Sequence, residues 1–437
     1  MARRLLVISY HYPSDSEVGG LRWAALTKHL SREGWEAWFL TAAPAVSSRT
    51  PGVTVESCAA GRTASDLYRS VRRAAPAVPL PPNRADLAAS RRGVRAALLR
   101  PLAALRSEAS GLLYLLSEGR GWTLRAARRA RALIDRVRPD VVVSSGPPHA
   151  PHLAAWLATR GRAGVRWVVD LRDPWAGPVA KAWEKDHAGG GRIGAALTRA
   201  AERLVLRSAS AVFTTTQELA AALSAQYPRA AIAWVPNGAD AEALPRPSAD
   251  PFPGLAIAHL GTLYGGRDAG PLLRALRLFL DRCPEARRDG TMFRNAGQEE
   301  PTHAAATRRT VADLGLGDHV ALHRPLPRAQ ALELLARSKL AVVLAQDQDY
   351  QVPSKLYESV AMGIPTLVVA ARDSATGREA VRVGAVVAEP DDLEGLATML
   401  AELWAGAGGV PATRAGVCDY RTLAPTVAAL LNGESLA

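Results

Sequence analysis

Val352-Pro353-Ser354-Lys355-Leu356-Tyr357-Glu358-Ser359-Val360-Ala361-Met362-Gly363-Ile364-Pro365-Thr366-Leu367-Val368-Val369 reads as a loop, one short helix and a buried strand. Pro353 and Ser354 begin the helix, with Ser354 placed to cap it. Gly363 suits its C-terminal end, Pro365 forbids continuation, and 366–371 is an apolar, partly β-branched run. Unpaired amides at such a helix start attract a phosphate, and Lys355 adds charge. Glu358 lies one turn past Ser354, where a carboxylate accepts hydrogen bonds from the vicinal hydroxyls of a sugar. A phosphate at the helix start and a diol beside it describe a nucleotide. The same pattern also suits an ordinary βα unit of a sheet protein.

Working outward, strands and helices alternate on both sides of this stretch. In the first half, strands are expected at 5–9, 37–41, 141–145, 166–170 and 211–215, with helices at 21–33, 125–138, 150–160 and 199–207. The second half restarts with strands at 256–261, 292–296, 319–323 and 340–345 and helices at 268–282, 304–314, 328–338 and 393–404. This βαβ rhythm implies parallel, doubly wound sheets. Two Rossmann-like halves are expected, 1–238 and 254–415, joined through the turn at 236–240 and the Pro-rich stretch 245–253. The cleft between the carboxyl ends of their strands is the expected site. The last segment, 416–437, is expected to be partly helical.

The chain of 437 residues is 48% hydrophobic and 22% charged, which suits a soluble two-domain protein. Its formal charge of +13 is concentrated: 61–135 holds fifteen Arg, no Lys and five acidic residues. Interleaved leucines make this segment a basic amphipathic insertion. It suits peripheral contact with anionic lipid or an acidic partner, or a solvated helix face. Its few aromatics argue against nucleic acid. Three scattered cysteines, Cys58, Cys283 and Cys418, make neither a disulfide framework nor a zinc site. The apolar start at 5–8 is too short for a signal peptide, and no run of about 20 apolar residues is present for a membrane span. A cytoplasmic location, possible also at the inner membrane face, is the expectation.

The 352–369 signature and the turn Val235-Pro236-Asn237-Gly238-Ala239-Asp240 resemble the retaining GT-B glycosyltransferases of family 4. Val168-Val169-Asp170-Leu171-Arg172-Asp173-Pro174-Trp175 resembles a motif of family members that build bacterial surface polysaccharides. The resemblance implies transfer of a hexosyl or related group from a nucleoside-diphosphate sugar, UDP ahead of GDP, to an acceptor hydroxyl in carbohydrate biosynthesis. The acceptor class is a sugar, a lipid-linked saccharide or a small molecule. No metal or other cofactor is obligatory.

Site residues follow by position. Gly19 and Gly20, between the first strand and helix, correspond to a glycine loop bordering donor phosphates and acceptor. In relatives a histidine ends the strand where Ser145 stands; here His149 is the candidate. Asp170, Arg172 and Asp173 are candidate acceptor contacts, with Asp173 also catalytic. Gly261 and Thr262 begin the second half, where relatives carry an arginine directly after the glycine. Arg267 falls near the position of the family's lysine and would stabilise the departing diphosphate. Ser354, Lys355 and Glu358 complete the donor site. Seven residues separate the family's paired glutamates, and counting back eight positions from Glu358 reaches Tyr350. Asp347, Asp349 or a backbone group is left for the first glutamate's role. Asp347-Gln348-Asp349 also spells the DxD that holds a metal-bound nucleotide sugar in GT-A enzymes, but two Rossmann halves argue against that fold. Two other readings stay open: a nucleotide-sugar 2-epimerase of the same fold, and a non-catalytic GT-B-like protein that binds membrane or polyanion.

Overall fold

A computed structural model describes residues 2–13, 18–43, 50–61, 120–162, 164–176, 192–264, 266–298, 301–406 and 419–434. Most of the basic segment 61–135 lies outside these residues, as does the glycine run 189–191; the end of the basic segment belongs to a helix, Arg120–Val137.

Seven strands form the first sheet: β1 (Arg3–Ser9), β2 (Trp35–Thr41), β3 (Val53–Ser57), β4 (Val141–Gly146), β5 (Arg166–Leu171), β6 (Ala211–Thr214) and β7 (Ile232–Trp234). Their order is β3-β2-β1-β4-β5-β6-β7 and every pairing is parallel. The second sheet holds β8 (Ala256–Leu260), β9 (Met292–Ala296), β10 (Val320–His323), β11 (Leu340–Leu344), β12 (Thr366–Val369) and β13 (Val386–Ala388), in the order β10-β9-β8-β11-β12-β13 and again all parallel. Central strands such as β1 and β4 are apolar without alternation because helices cover both faces of the sheet.

In each sheet the strand order reverses at one place, between β1 and β4 and between β8 and β11. Loops leaving adjacent strands there turn to opposite faces and open a crevice. The two crevices face each other, and a cavity of about 770 Å³ lies between them.

The helix Tyr420–Asn432 returns to the first half. Asp419 caps it by accepting from the Arg421 amide at 2.9 Å, and Tyr420 donates its amide to Ala239 at 2.9 Å. Its Ala424, Val427, Leu430 and Leu431 pack with Leu5, Val7 and Leu26 in one core. The linker is pinned nearby: Lys28 meets Asp240 at 2.8 Å and Glu242 at 2.9 Å, and Arg32 meets Glu242 at 2.6 Å. His29, Asp240 and Glu242 are the one cluster with metal-ligand spacing among the described residues. Lys28 and Arg32 already neutralise its carboxylates, which makes it an ion-pair anchor. Among the described residues no helix is long and apolar enough to cross a membrane.

Candidate active site

The helix Ser354–Ala361 stands at the carboxyl end of the second sheet. Its N-cap is Pro353, with no side-chain cap, and Ser354 is the first helical residue. The capping role expected for Ser354 is therefore corrected. A proline cap leaves the first helical amides without a side-chain acceptor, and Ser354 itself lines the cavity. Gly363 follows the helix with φ +74, a left-handed turn that a side chain would strain.

Glu358 also lines the cavity, and it is almost wholly buried. Lys355 Nζ meets one carboxylate oxygen at 3.0 Å and Arg328 Nη1 meets the other at 2.7 Å. Burial works against its charge, but the two cations outweigh it and hold the carboxyl below its ordinary range. Lys355 thus spends its charge on Glu358 and is not among the cavity-lining residues. Arg328, which sequence reasoning missed, is among them. It begins the helix Arg328–Ala336, and no local pattern marks its pairing with a residue 30 positions on.

Arg267 reaches the same cavity from the loop after β8, with its guanidinium 5.1 Å from the Tyr264 ring centroid. Its Nε is buried without a hydrogen-bond partner. Gly261 and Thr262 are not in the wall. They belong to a tight crossing of two strand ends, where a Cβ at Gly297 would lie 1.8 Å from Gly261 O. Gly19 reaches the cavity but Gly20 does not. A Cβ at Gly20 would stand 2.7 Å from Tyr12 Cα, so its glycine serves close backbone packing.

The stretch 170–176 divides its roles. Asp170 is wholly buried and serves three donors: Arg22 Nε at 3.2 Å, Trp23 Nε1 at 2.7 Å and Ser145 Oγ at 2.7 Å. It does not line the cavity, so the acceptor contact expected of it is replaced by an internal ion pair. Arg172 lines the cavity, yet it donates to the carbonyls of Gly146 at 3.2 Å, Gly19 at 2.7 Å and Pro147 at 2.5 Å. It staples the glycine loop to the end of β4. Asp173 alone of the three presents a carboxyl to the cavity. Burial pushes its pKa up, opposed by Arg172, by a hydrogen bond from Gln351 and by Arg267.

His149 stands outside the cavity wall, stacked on Trp175 with centroids 4.5 Å apart. Burial, then the neighbouring His152 and Arg172, keep it neutral. His152 meets Ser144 Oγ at 2.9 Å, and burial brings its pKa down to about 3. The loop after β11 also departs from expectation. Asp347 and Asp349 are exposed, whereas Gln348 between them is buried and lines the cavity. Tyr350 packs on the core of the first half and accepts from Thr216 Oγ1 at 2.9 Å.

The far end of the 170–176 loop carries a pH-sensitive anchor. Ala176 donates its amide to Glu202 at 2.8 Å, and Tyr227 donates its hydroxyl to the other oxygen at 2.8 Å. Burial outweighs both bonds and raises Glu202 from 4.5 to about 7. The folded protein therefore binds this proton more tightly than the unfolded chain. Its stabilisation is complete below 4.5 and is lost as the pH climbs towards about 7. Glu202→Gln should gain stability relative to the parent across that window, read by urea unfolding at several pH values. A constant difference would sink this assignment.

Comparison with known proteins places the architecture. Residues 88–243 match the family model described as Glycosyltransferase Family 4. No curated protein matches the chain. Among solved structures, sucrose-phosphate synthase from Thermosynechococcus elongatus is 15% identical with a TM-score of 0.60, covering 99% of this chain and 98% of that one. Anabaena HepE in complex with UDP is 14% identical with a TM-score of 0.60, covering 98% and 100%. The α,α-trehalose 6-phosphate synthase of Burkholderia multivorans is 14% identical with a TM-score of 0.61, covering 99% and 97%. The chain thus has the GT-B fold, and its residues 88–243 are similar to Glycosyltransferase Family 4.

Proposed function

We propose that this protein transfers a glycosyl group from a nucleoside-diphosphate sugar, UDP ahead of GDP, to an acceptor hydroxyl, with retention at the anomeric carbon. One observation carries the reading. A helix start without a side-chain cap, a buried carboxylate fixed between two cations and the Arg267 guanidinium meet in one interdomain cavity. Complexes of structural neighbours with UDP support the choice of nucleotide.

In this reading the amides at the start of Ser354–Ala361 and the Arg267 guanidinium receive the diphosphate. Glu358 accepts from the ribose hydroxyls, and Lys355 and Arg328 keep it ionised to do so. Arg267 offsets the charge that grows on the diphosphate as the anomeric bond breaks. The acceptor approaches from the first half, where Gly19 and Asp173 border the cavity and Asp173 orients its hydroxyl. The leaving diphosphate oxygen takes the acceptor's proton. Most of the rate enhancement comes from positioning two substrates and from charge stabilisation. Saccharides, lipid-linked saccharides and small hydroxylated metabolites fit as acceptors.

UDP should raise the melting temperature with or without magnesium, by more than GDP, TDP or ADP. Saturation at a hundredfold excess over Kd corresponds to about 2.7 kcal/mol. A melting point that none of the four nucleotides moves would overturn the reading. NMR of the product's anomeric proton tests retention.

A further inference from the structure

We propose that Gln348 recognises the sugar half of the donor through a neutral carboxamide; the inference rests on the nucleotide-sugar reading above. Gln348 is 0% exposed, and neither its Oε1 nor its Nε2 has a hydrogen-bond partner. A buried amide in this state costs stability, and folded proteins keep such groups rarely. This one lines the interdomain cavity beside Tyr264, Arg267 and Gln351. Its loop runs from β11 to the start of Ser354–Ala361, so it adjoins the proposed diphosphate site. The neighbouring position is a glycine, and a Cβ at Gly266 would sit 3.4 Å from Gln348 Nε2. The Asp347 Cβ and the Tyr264 ring lie about as near to that point, at 3.4 and 3.5 Å, so the amide nitrogen ends beside the loop that carries Arg267.

The amide identifies the ligand class. Its oxygen accepts and its nitrogen donates, whereas a carboxylate in the same place only accepts. Vicinal sugar hydroxyls supply one donor and one acceptor to such a group, as does a hydroxyl beside an N-acetyl carbonyl. A neutral hexosyl or N-acetylhexosaminyl group satisfies both ends. The flanking Asp347 and Asp349 are exposed.

The test compares UDP with UDP-glucose and UDP-N-acetylglucosamine by calorimetric titration of the full chain and of Gln348→Met, which keeps the volume and removes both polar atoms. UDP affinity should stay within about twofold. At least one of the two sugars should strengthen binding over UDP in the parent, and this gain should fall about tenfold or more in the variant, the scale of one hydrogen bond to a buried group. The ligand-free variant should melt a few degrees higher, because an unsatisfied amide has been removed. If Gln348→Met does not fold, Gln348→Glu keeps the shape and the accepting oxygens and should lose part of the gain. A parent that gains nothing from either sugar, or a variant that keeps the full gain, overturns the proposal while UDP binding upholds the reading beneath it. A parent that binds no UDP overturns both.

Discussion

Asp170→Ala should lower the unfolding free energy by about 3–5 kcal/mol, the scale for breaking a buried ion pair by removing one partner. The side chains of Asp170 and Arg22 are 0% and 3% exposed. Without the carboxylate, the Arg22 charge remains in the interior, and Trp23 and Ser145 lose their acceptor. Arg22 also donates to Val235 O at 2.9 Å and Pro236 O at 2.6 Å. The loss therefore spreads from β5 through the first helix to the turn that opens the linker. Asp170→Asn keeps one accepting oxygen but sets an NH2 among three donors, and should fall between the parent and the alanine variant. Chemical denaturation measures both. Were Asp170 a substrate contact, stability would hold and only acceptor binding would weaken; that pattern would reverse the role assigned here.

Glu358→Ala should weaken UDP binding by about 3 kcal/mol or more, on the order of a hundredfold. Two hydrogen bonds from ribose hydroxyls to a buried carboxylate contribute about 1.5–3 kcal/mol each. The fold should suffer less than in the Asp170 variant. Lys355 and Arg328 are 25% and 26% exposed, so solvent takes up much of the charge they are left with. The pH profile separates the partners. Because the cations hold Glu358 below its ordinary value, the part of the UDP affinity that depends on it should stay flat from neutral pH to below 4.5. That part is the ratio of parent to Glu358→Ala, in which the phosphate's own titration cancels. The stabilising charge of Glu358 is present above that pH and lost as the pH falls through the lowered value. Arg328→Ala removes one of the two cations and should move the acid limb upward. An unmoved limb would mean that the nucleotide affinity does not depend on this carboxylate.

Parallel strands and their crossover helices were readable because buried strands write long apolar runs. Leu5–Ile8, Val141–Val143 and Leu340–Leu344 are such runs. What escaped were edges. β3 alternates Val-Thr-Val-Glu-Ser and is half exposed, while β7 and β13 are three residues long. An edge strand has one partner and need not be apolar on both faces, so its local signal is weak. The helix Gln217–Gln226 is alanine-rich with little amphipathic contrast, although Thr216 caps it.

The sequence by itself determined the two-sheet GT-B plan, the position of the signature helix and the identity of Glu358, Arg267 and Asp173 as cleft candidates. The strands and the helix follow from apolar runs, caps and breakers within about twenty residues, whereas the GT-B assignment and the cleft roles of Arg267 and Asp173 follow from the resemblance of their motifs to family 4. Only the tertiary structure decided which polar groups are already taken. Asp170, Arg172 and Lys355 look available in the sequence, yet each finds its partner inside the protein. Arg328 and Gln348 carry no local mark and still line the cavity. Whether a polar side chain meets a ligand or a neighbour depends on what other segments bring within 3 Å of it. That distance is set by the packing of two sheets, and no stretch of sequence contains it.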